Sequence, residues 1–506
     1  MELFSFVMIM FTLLACLFSF YYLLLLKSNN GRVLPPSPFG LPLLGHLHML
    51  SKLPHQNLAR LAKKYGPIMS IRLGLVPAVV VTSPEAAELF LKTHDVVFAS
   101  RPKIQVADVL AYGQKNLAFA QYGPYWRNIR KLCTIELLSS SKIESFKPLR
   151  RDELFELVKF MINASESRSV VDVTAKIQSF NENMTYRMIC GSKDESIERN
   201  ITMSNLREGI KVAGALNVGD FIPWLAKFDI QGLSGRMKAC NIVIDGCLET
   251  IIDKHVRDAK QREGQHMDFI DAMLSLMESN NTREMHLARD HIKAIVLDMF
   301  LAAMDTNSTA IGWVIAELVK NPRVMKLVQE ELENVVGLER MVEETDIIKL
   351  SYLKMVIMES MRIHPVGPLL LPHESTEDIT INGYFIPKKS RVLINTWAIG
   401  RDPNVWSSNV QEFYPERFIS TSIDVQGRYF QFLPFGSGRR MCPGMQLAMT
   451  VVQLVVAQLV HCFHLELPNG MSPDDLDMTE KYSLTLARAN HLMVIPTYRL
   501  AKNLNL

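Results

Sequence analysis

The first hydrophobic feature of the chain is an uncharged run from Leu3 to Leu26. As an α-helix this run would be about 36 Å long, which exceeds the roughly 30 Å hydrocarbon core of a bilayer. A cleaved signal peptide, the alternative, has an apolar region of only about 7–15 residues followed by a small-residue cleavage site. Lys27 and Arg32 follow the run, whereas only Glu2 precedes it. The positive-inside rule therefore predicts a transmembrane signal anchor over residues 3–26 with the rest of the chain in the cytosol.

Prolines and glycines are concentrated in the next segment, from Leu34 to His46. Proline fixes φ and removes a backbone donor, so this segment predicts a stiff, non-helical connection, and a plain spacer is its simplest interpretation. Farther on, β-branched residues dominate Ile68–Leu73 and Ala78–Thr82. These two runs predict short strands.

Helical periodicity dominates from about Pro84 onward. The residues from Asp290 to Lys320 form one helical run, about 46 Å long, that ends before Pro322. This run is apolar nearly all round, so we expect it to be buried, and the polar stretch Glu278–Arg289 before it predicts a surface loop. The shorter predicted helices are Pro84–Thr93, Tyr125–Ile135, Leu149–Met161, Val173–Met188 and Ser234–Lys260. The pattern as a whole predicts a mostly helical domain with a small sheet near its N-terminus.

Composition narrows this picture only modestly. The 506 residues would allow two or more domains on size alone, but no low-complexity linker divides them, so we predict one large domain over residues 47–506. Lysine and arginine total 55 against 52 acidic residues, and a net charge of +3 does not favour a nucleic-acid partner. The seven cysteines include no C-x-x-C pair, a pattern that fits a reducing compartment rather than a disulfide framework.

Near the C-terminus, a glycine-rich loop surrounds one cysteine. Phe435, Gly438, Arg440, Cys442 and Gly444 stand at fixed spacing within it. The two glycines permit tight backbone turns with positive φ, the phenylalanine supplies an apolar wall, and the arginine can form a forked hydrogen bond to a carboxylate. A buried, inert cysteine beside a glycine-rich turn is the alternative. The spacing favours a thiolate that binds a metal.

This loop resembles the cysteine loop of the cytochrome P-450 superfamily, F-x-x-G-x-R-x-C-x-G, at every fixed position. The resemblance implies a mainly α fold with small β-sheets, in which Cys442 is the axial ligand of the iron of haem b (iron protoporphyrin IX). Phe435 would wall the sulfur and Arg440 would bind a haem propionate. It also implies that residues 27–46 are the basic, proline-rich hinge of microsomal members. Three segments resemble plant A-type members of the seventy-one clan: Asn217–Trp224, Asp229–Gly232 and Phe432–Arg440.

A second resemblance lies within the long apolar helix, where Ala302-Ala-Met-Asp-Thr-Asn307 is similar to the oxygen-activation motif of the family. A carboxylate in an apolar helix needs a partner or a function, because burying it unpaired is costly. The resemblance assigns Thr306 to holding a water and Asp305 to relaying protons from solvent. The structural alternative is a helix-bending hydroxyl and an aspartate paired elsewhere. Asn307 departs from the usual Thr or Ser, and we expect it to tune the water network.

Further elements of the family occur along the chain. Glu359-Ser-Met-Arg362 and the Pro-Glu-Arg-Phe segment with Arg417 match its E-x-x-R and P-E-R-F elements, which implies a structural network of Glu359, Arg362 and Arg417. Trp126 and Arg130, at i and i+4 on one helix face, match positions that contact the haem propionates. The resemblance assigns His373 to the propionates as well. A tryptophan in the core beside a solvated arginine is the alternative for the first pair.

The resemblance implies a monooxygenase that inserts one oxygen atom of O2 into an apolar plant specialised metabolite, such as a terpenoid, phenylpropanoid or alkaloid. The residues that match substrate-contact positions are Ala302, Val366, Leu369, Leu370 and Leu484. Because the chain shows no nucleotide-binding fingerprint, electrons from NADPH would come through a partner. The implied partner is NADPH–cytochrome reductase in the endoplasmic reticulum membrane, docked near Arg127, Lys131 and Arg439.

Two other functions compete with this interpretation. One is a haem-thiolate isomerase or dehydratase, which needs neither O2 nor a reductase. The other is a non-enzymatic membrane haem sensor or electron carrier, which needs no hydroxyl near the iron and no large apolar pocket. The Asp305-Thr306 pair favours oxygen activation over both alternatives.

Overall fold

The computed structural model describes residues 12, 32–191, 197–258, 268–278, 287–407 and 409–501. The anchor predicted at residues 3–26 lies outside these residues, apart from Thr12. The first part of the hinge and most of the polar stretch at 278–289 also lie outside them. These three features therefore stay predictions.

Helices dominate the described part of the chain, as the periodicity predicted. The five predicted shorter helices all occur, with shifted ends. The helices are α1 (Pro54–Tyr65), α2 (Pro84–Glu88), α3 (Gln105–Leu110), α4 (Pro124–Leu132), α5 (Ser140–Ser145), α6 (Lys147–Glu166), α7 (Val173–Cys190), α8 (Ile197–Ala213), α9 (Leu233–Asp258), α10 (Phe269–Glu278), α11 (Arg289–Lys320), α12 (Pro322–Val336), α13 (Ser351–Ile363), α14 (Thr396–Ile399), α15 (Pro403–Trp406) and α16 (Met445–Cys462).

Two of these helices change their winding at the C-terminal end. Helix α2 continues as a π-helical turn over Leu89–Thr93, and α4 continues in the same way over Cys133–Leu137. The sequence pattern predicted each as one uninterrupted helix. Single π-helical turns are frequent beside functional sites, and the first of these two lies against the cysteine loop, as described below.

The strands form small sheets, also as predicted. They are β1 (Ile68–Leu73), β2 (Val76–Val81), β3 (Val171–Asp172), β4 (His373–Glu374), β5 (Ile379–Ile381), β6 (Tyr384–Ile386), β7 (Arg391–Ile394), β8 (Phe463–Glu466), β9 (Glu480–Tyr482), β10 (Leu486–Arg488) and β11 (Met493–Tyr498). The largest sheet has the order β1-β2-β7-β4, with β7 parallel to β2 and the other pairs antiparallel. A second sheet has the order β3-β11-β8, and β5-β6 and β9-β10 form hairpins.

The long helix α11 is the centre of the fold. It spans Arg289–Lys320, one residue longer than predicted, and Pro322 begins the next helix directly after it. Its apolar side chains are buried against α7, α13 and α16. Helices α11 and α16 are each long and apolar enough to cross a bilayer, but most of each lies inside the protein. We therefore assign both to the core.

The hairpin β9–β10 packs against this central helix. Trp313 of α11 donates its indole N–H to the carbonyl of Leu486 at 2.7 Å. In the turn of the hairpin, the hydroxyl of Thr485 lies 3.4 Å from that of Thr309. The tip of the hairpin, which carries Leu484, is thereby held beside the middle of α11, where the predicted oxygen-activation residues lie.

Candidate active site

The cysteine loop folds back on itself before α16 begins. The N–H of Cys442 donates to the carbonyl of Phe435 at 3.0 Å, which closes the loop. Gly438 has φ +70°, and a Cβ there would lie 2.1 Å from the carbonyl oxygen of Leu91 in the first π-helical turn. Glycine is therefore required at 438 both by its backbone angle and by the close approach of Leu91.

The expectation for Gly444 was wrong. Its φ is −86°, an ordinary value, because the residue caps the N-terminus of α16. The other left-handed residue of this loop is Gly436, with φ +71°. A Cβ at 444 would lie 3.9 Å from Cys442 Sγ, an ordinary contact distance, so the space around the thiol does not require glycine there.

The sulfur of Cys442 lies at the N-terminus of α16. The N–H groups of Gly444 and Met445 point at it, an arrangement that stabilises a thiolate. Burial raises the pKa of the Cys442 thiol, whereas these N–H groups and the charge of Arg130 lower it. The residue is nevertheless exposed by surface area, so a ligand can reach it. This donor set fits the iron of haem b.

Two arginines beside the cysteine loop, the buried Arg101 and the half-buried Arg440, lack a carboxylate partner. Arg440 donates from Nε to the carbonyl of Ala99 at 2.6 Å and from Nη2 to that of Ala120 at 2.5 Å. Arg101 donates from Nη1 to the carbonyls of Leu371 and Pro372. Among the described residues, no Asp or Glu lies within ion-pair distance of either guanidinium.

Burial lowers the pKa of Arg440 to about 8 and that of Arg101 to about 9, and the repulsion of Arg101 contributes to the first value. Unpaired buried charge is costly, so this cluster calls for an anion. The two propionates of haem b would supply one. Arg440 was predicted to form a forked hydrogen bond to a propionate. Backbone carbonyls accept three of its five N–H groups, and two remain for an anion.

The remaining predicted propionate contacts surround this pair. The indole N–H of Trp126 donates to the carbonyl of Leu117 at 3.0 Å, and Arg440 stacks over the ring at 4.2 Å. Trp126 is thus placed to support Arg440, although its N–H already donates to Leu117.

His373 Nδ1 lies 2.8 Å from the carbonyl of Phe98, and burial lowers the pKa of His373 well below its ordinary value. Burial also lowers the pKa of Arg130, and the Cys442 thiolate opposes that shift.

The oxygen-activation residues occupy the middle of α11. The Thr306 hydroxyl donates to the carbonyl of Ala302 at 2.6 Å, and Ala302 is exposed although most of the helix is buried. Asp305 accepts a hydrogen bond from the Thr485 hydroxyl, and burial raises its pKa. These contacts match the structural alternative as well as the catalytic one, so the roles of Asp305 and Thr306 stay predictions.

Asn307, the departure from the family motif, has a specific partner. It is buried, and its amide donates to Asn181 Oδ1 of α7 at 3.4 Å. Asn181 in turn donates to the carbonyls of Ala303 and Met304, one turn earlier on α11. The pair joins α7 to the segment that carries Asp305. Asn307 thus binds protein through its amide, and its effect on the water network stays a prediction.

The predicted substrate-contact residues are not all in one place. Val366 and Leu484 pack against the main core around α11, and the carbonyl of Val366 accepts the N–H of Leu486 at 2.9 Å. Leu369 is buried in the core beneath the β1–β2 sheet, and Leu370 packs on the other side of that sheet. Ala302, Val366 and Leu484 therefore fit a pocket above α11 better than the two leucines do.

Glu359, Arg362 and Arg417 form one buried cluster. Arg362 donates from Nε and Nη2 to the two oxygens of Glu359, each at 2.8 Å. Arg417 Nε donates to the same oxygens at 2.9 and 3.0 Å. The side chains of Glu359 and Arg362 are fully shielded from solvent. The structure thus brings together the three residues predicted to form a network.

Sequence reasoning missed two residues of the site, Arg101 and Asn181. Arg101 had a weak signal, because it is a charged residue that follows the apolar segment Val96–Ala99. Asn181 had none, because its partner lies more than a hundred positions away in the sequence. Thr485 belongs to a segment, 483–485, that was predicted to line the substrate pocket, but its hydrogen bond to Asp305 was not predicted.

The fold and the cysteine site together define a haem-thiolate enzyme. A family model described as Cytochrome P450 matches residues 35–494, and the chain belongs to that family. Its relatives place it among the plant members of the seventy-one clan. It is therefore a monooxygenase, with haem as the cofactor implied by its family.

Several known proteins are similar to the chain over most of its length. Cytochrome P450 CYP736A12 of Panax ginseng is 53% identical over 497 residues, which cover 97% of this chain and 99% of the ginseng protein. Premnaspirodiene oxygenase of Hyoscyamus muticus is 40% identical, with 93% of this chain and 94% of the other covered. A solved structure of a zebra fish cytochrome P450 with abiraterone aligns with a TM-score of 0.74 at 27% identity, covering 88% of this chain and 100% of that one.

Proposed function

We propose that this enzyme hydroxylates, or otherwise oxidises, an apolar plant specialised metabolite, using O2 and electrons that NADPH provides through a reductase. The observation that carries the proposal is the Cys442 sulfur at the N-terminus of α16, beside Arg101 and Arg440 that lack a carboxylate partner. When bound, haem held by a thiolate supplies the oxygen-activating chemistry. Cys442 would ligate the iron, and the two arginines, Trp126, Arg130 and His373 would surround the propionates.

Similarity supports the substrate class. Premnaspirodiene oxygenase, 40% identical, is named for oxygenating a diene. The side chains above α11 have matching character, since Ala302, Val366 and Leu484 are all apolar. A pocket of this kind excludes water and holds a hydrophobic ligand mainly by its shape. We propose a terpenoid, phenylpropanoid or alkaloid.

The experiment that tests the function uses the full chain in membranes with a plant NADPH–cytochrome reductase. Reduced-CO difference spectroscopy reports thiolate ligation. A metabolite panel is then screened for a low-to-high spin shift, and each hit is assayed for product with and without reductase and O2. We expect product only when both are present. Product without either would instead support the isomerase or dehydratase, and bound haem without any product would support the sensor or electron carrier.

Thr306 and Asp305 would deliver protons during oxygen activation. Asp305 is held by Thr485, and burial raises its pKa toward the neutral range, in which a carboxyl can both bind and release a proton. The Thr306 hydroxyl lies on the next residue, beside the exposed Ala302. An acid and an alcohol on neighbouring residues can pass a proton from Asp305 through Thr306 toward the proposed haem site.

We expect Thr306→Ala to uncouple NADPH consumption from product formation. Without the hydroxyl, product formed per NADPH should fall about tenfold while hydrogen peroxide rises. Peroxide and product are measured in the same reaction. Thr306→Ser, which keeps the hydroxyl, is the matched control and should retain most of the coupling. Unchanged coupling in the alanine variant would remove Thr306 from the proton relay.

The proposed location is the endoplasmic reticulum membrane, with a single span over residues 3–26 and a cytosolic catalytic domain over residues 47–506. An apolar face supports it, which we define as Phe39, Leu43, Leu75, Trp224, Phe228 and Ile230, all exposed. Hydrogen bonds join its segments, since Gly74 N–H donates to Leu44 O and Leu75 N–H to Phe221 O. The face therefore includes the hinge that follows the predicted span. Exposed apolar patches of this kind mark interaction sites.

Substitution of the apolar face should reduce its contact with lipid. In full-length protein reconstituted in nanodiscs, we expect a photoactivatable lipid to label peptides around Trp224–Ile230. Phe228→Glu with Ile230→Glu should lower that labelling several-fold, because a charged group is expelled from hydrocarbon. Ile348→Glu is the control, since Ile348 is 89% exposed in the turn between α12 and α13. Equal labelling of all three proteins would contradict this orientation.

The reductase is the proposed electron donor. Arg127 and Lys131 are exposed on α4, the helix that also carries Trp126 and Arg130. Arg439 forms an ion pair with Asp95 at 3.1 Å, so part of its charge is neutralised within the chain. An acidic partner would therefore be attracted mainly by Arg127 and Lys131, and its association would weaken as salt increases.

A further inference from the structure

A carboxylate on the central helix faces the loop that joins α3 to α4. Asp298 lies one turn before Ala302 on α11. Its Oδ1 accepts the side-chain amide of Asn116 at 2.6 Å. Its Oδ2 accepts the N–H groups of Leu117 and Ala118 at 2.7 and 2.9 Å. One side chain of α11 thus holds the N–H side of this loop.

The carbonyl side of the same loop receives the cations beside the cysteine. The carbonyl of Leu117 accepts the indole N–H of Trp126 at 3.0 Å and Nη1 of Arg440 at 3.3 Å. The carbonyl of Ala118 accepts Nε of Arg101 at 3.2 Å. The loop therefore lies between one carboxylate and two guanidinium groups, of which that of Arg101 is buried and the others are partly buried.

The amide groups connect these charges in two chains. In the first, the peptide between Leu117 and Ala118 accepts from Arg440 through its oxygen and donates to Asp298 Oδ2 through its N–H. In the second, the peptide between Ala118 and Phe119 accepts from Arg101 and donates to Asn116 Oδ1 at 3.1 Å, and Asn116 donates to Asp298 Oδ1. Hydrogen bonds in such chains polarise and strengthen one another.

The energetics require a partner for these arginines. Among the described residues, neither Arg101 nor Arg440 has a carboxylate within ion-pair distance, and burial lowers the pKa of Arg101. Burial also raises the pKa of Asp298, to about 6, and its three hydrogen-bond donors oppose that rise. The carboxyl oxygens accept three hydrogen bonds and donate none, as an ionised carboxylate does. The loop separates this carboxylate from the two guanidinium groups.

We propose that Asp298 is a positioning residue that serves as the shared counter-charge of Arg101 and Arg440. Through Asn116 and the peptides at 117–119, it holds both guanidinium groups where the carboxylates of haem b bind. This inference rests on the proposed haem site. It assigns a role in cofactor retention to a residue of the central helix that contacts neither the cysteine loop nor the arginines directly.

The first test is Asp298→Asn in the full-length holoprotein. Asparagine keeps a single carbonyl oxygen, so it can accept at the end of only one of the two chains, and its N–H₂ group faces a donor of the other. Loss of a residue that orients the direct partners of a cofactor typically costs 10–100-fold, and we expect haem transfer to excess apomyoglobin to be about tenfold faster. Hydrogen exchange of the amides at 117–119 should accelerate similarly. Asp290→Asn is the matched control, because Asp290 lies on the same helix and pairs with Lys115 at the surface; neither readout should change.

A swap variant makes the test specific. In Asn116→Asp with Asp298→Asn, the new aspartate can accept from Phe119 N–H and from the new asparagine, whose carbonyl can accept from Leu117 and Ala118. We expect haem transfer and exchange to return to within about twofold of the unsubstituted chain, because both chains are rebuilt around one charge. If Asp298→Asn does not fold, a stable swap holoprotein supports the proposal and an unstable one overturns it.

The two proposals fail in different ways. Normal exchange at 117–119 and normal haem transfer in Asp298→Asn would overturn the role of Asp298, as would a swap that is no better than the single variant. Failure of the proposed haem site would appear in the unsubstituted chain, as absence of a thiolate-ligated haem spectrum.

Discussion

Cys442→Ser is expected to abolish monooxygenation while leaving the fold nearly unchanged. A serine hydroxyl is neutral at pH 7 and is a harder donor than a thiolate, so it cannot replace sulfur as a ligand that donates electron density. It can still accept the N–H groups of Gly444 and Met445 that point at the sulfur. We expect turnover to fall by at least roughly a thousandfold. Turnover with reductase and reduced-CO spectra of the same preparation measure the effect.

Cys247→Ser is the matched control for this variant. Cys247 is a partly buried free cysteine on α9, remote in sequence from the loop, and its replacement should leave turnover and spectrum unchanged. Should the serine variant at 442 keep the spectrum of the unsubstituted enzyme, the sulfur of that residue is not the ligand, and the proposed site is wrong.

Glu359→Gln is expected to lower the free energy of unfolding more than any of the other substitutions that remove a single charge from this enzyme. The carboxylate accepts from Arg362, from Arg417 and from the N–H of Tyr414. Glutamine keeps the volume but places an N–H₂ group against two guanidinium groups and leaves their charge uncompensated. Breaking a buried ion pair by removing one partner costs about 3–5 kcal/mol in free energy of unfolding. Denaturant unfolding followed by haem absorbance and by circular dichroism measures this loss.

Glu416→Gln provides the comparison. Glu416 also binds an arginine, at 2.6 Å, but that partner, Arg323, is 57% exposed. Ion pairs with solvent-exposed partners contribute about 1 kcal/mol or less, so the control should cost far less than the test variant. Equal destabilisation by the two variants would show that burial of the Glu359 cluster is not what makes it important.

Local patterns in the sequence predicted most of the fold. The central helix was evident because apolar residues lie nearly all round it from Asp290 to Lys320 and Pro322 follows. The strands Ile68–Leu73 and Val76–Val81 were evident from their β-branched residues. The π-helical turns after α2 and α4 were not, because the apolar periodicity of a π-turn differs too little from that of an α-helix over five residues.

In the cysteine loop, too, the sequence predicted some features and the tertiary structure decided others. Its spacing predicted the ligand and the glycine at 438, because these depend on residues within ten positions of one another. It did not predict that Gly436, rather than Gly444, has the second positive φ. That choice depends on where α16 begins and on how the loop turns before it.

The sequence alone determined the family and the helical architecture and predicted the sulfur ligand, since each depends on residue types at short, regular spacing. Only the tertiary structure decided which polar groups meet: Thr485 with Asp305, Asn307 with Asn181, and Arg101 and Arg440 with the loop that Asp298 holds. The physical reason is that buried polar groups must find partners wherever the packed chain supplies them. Helices and strands bring those partners together from positions more than a hundred residues apart, and no local pattern records such pairings.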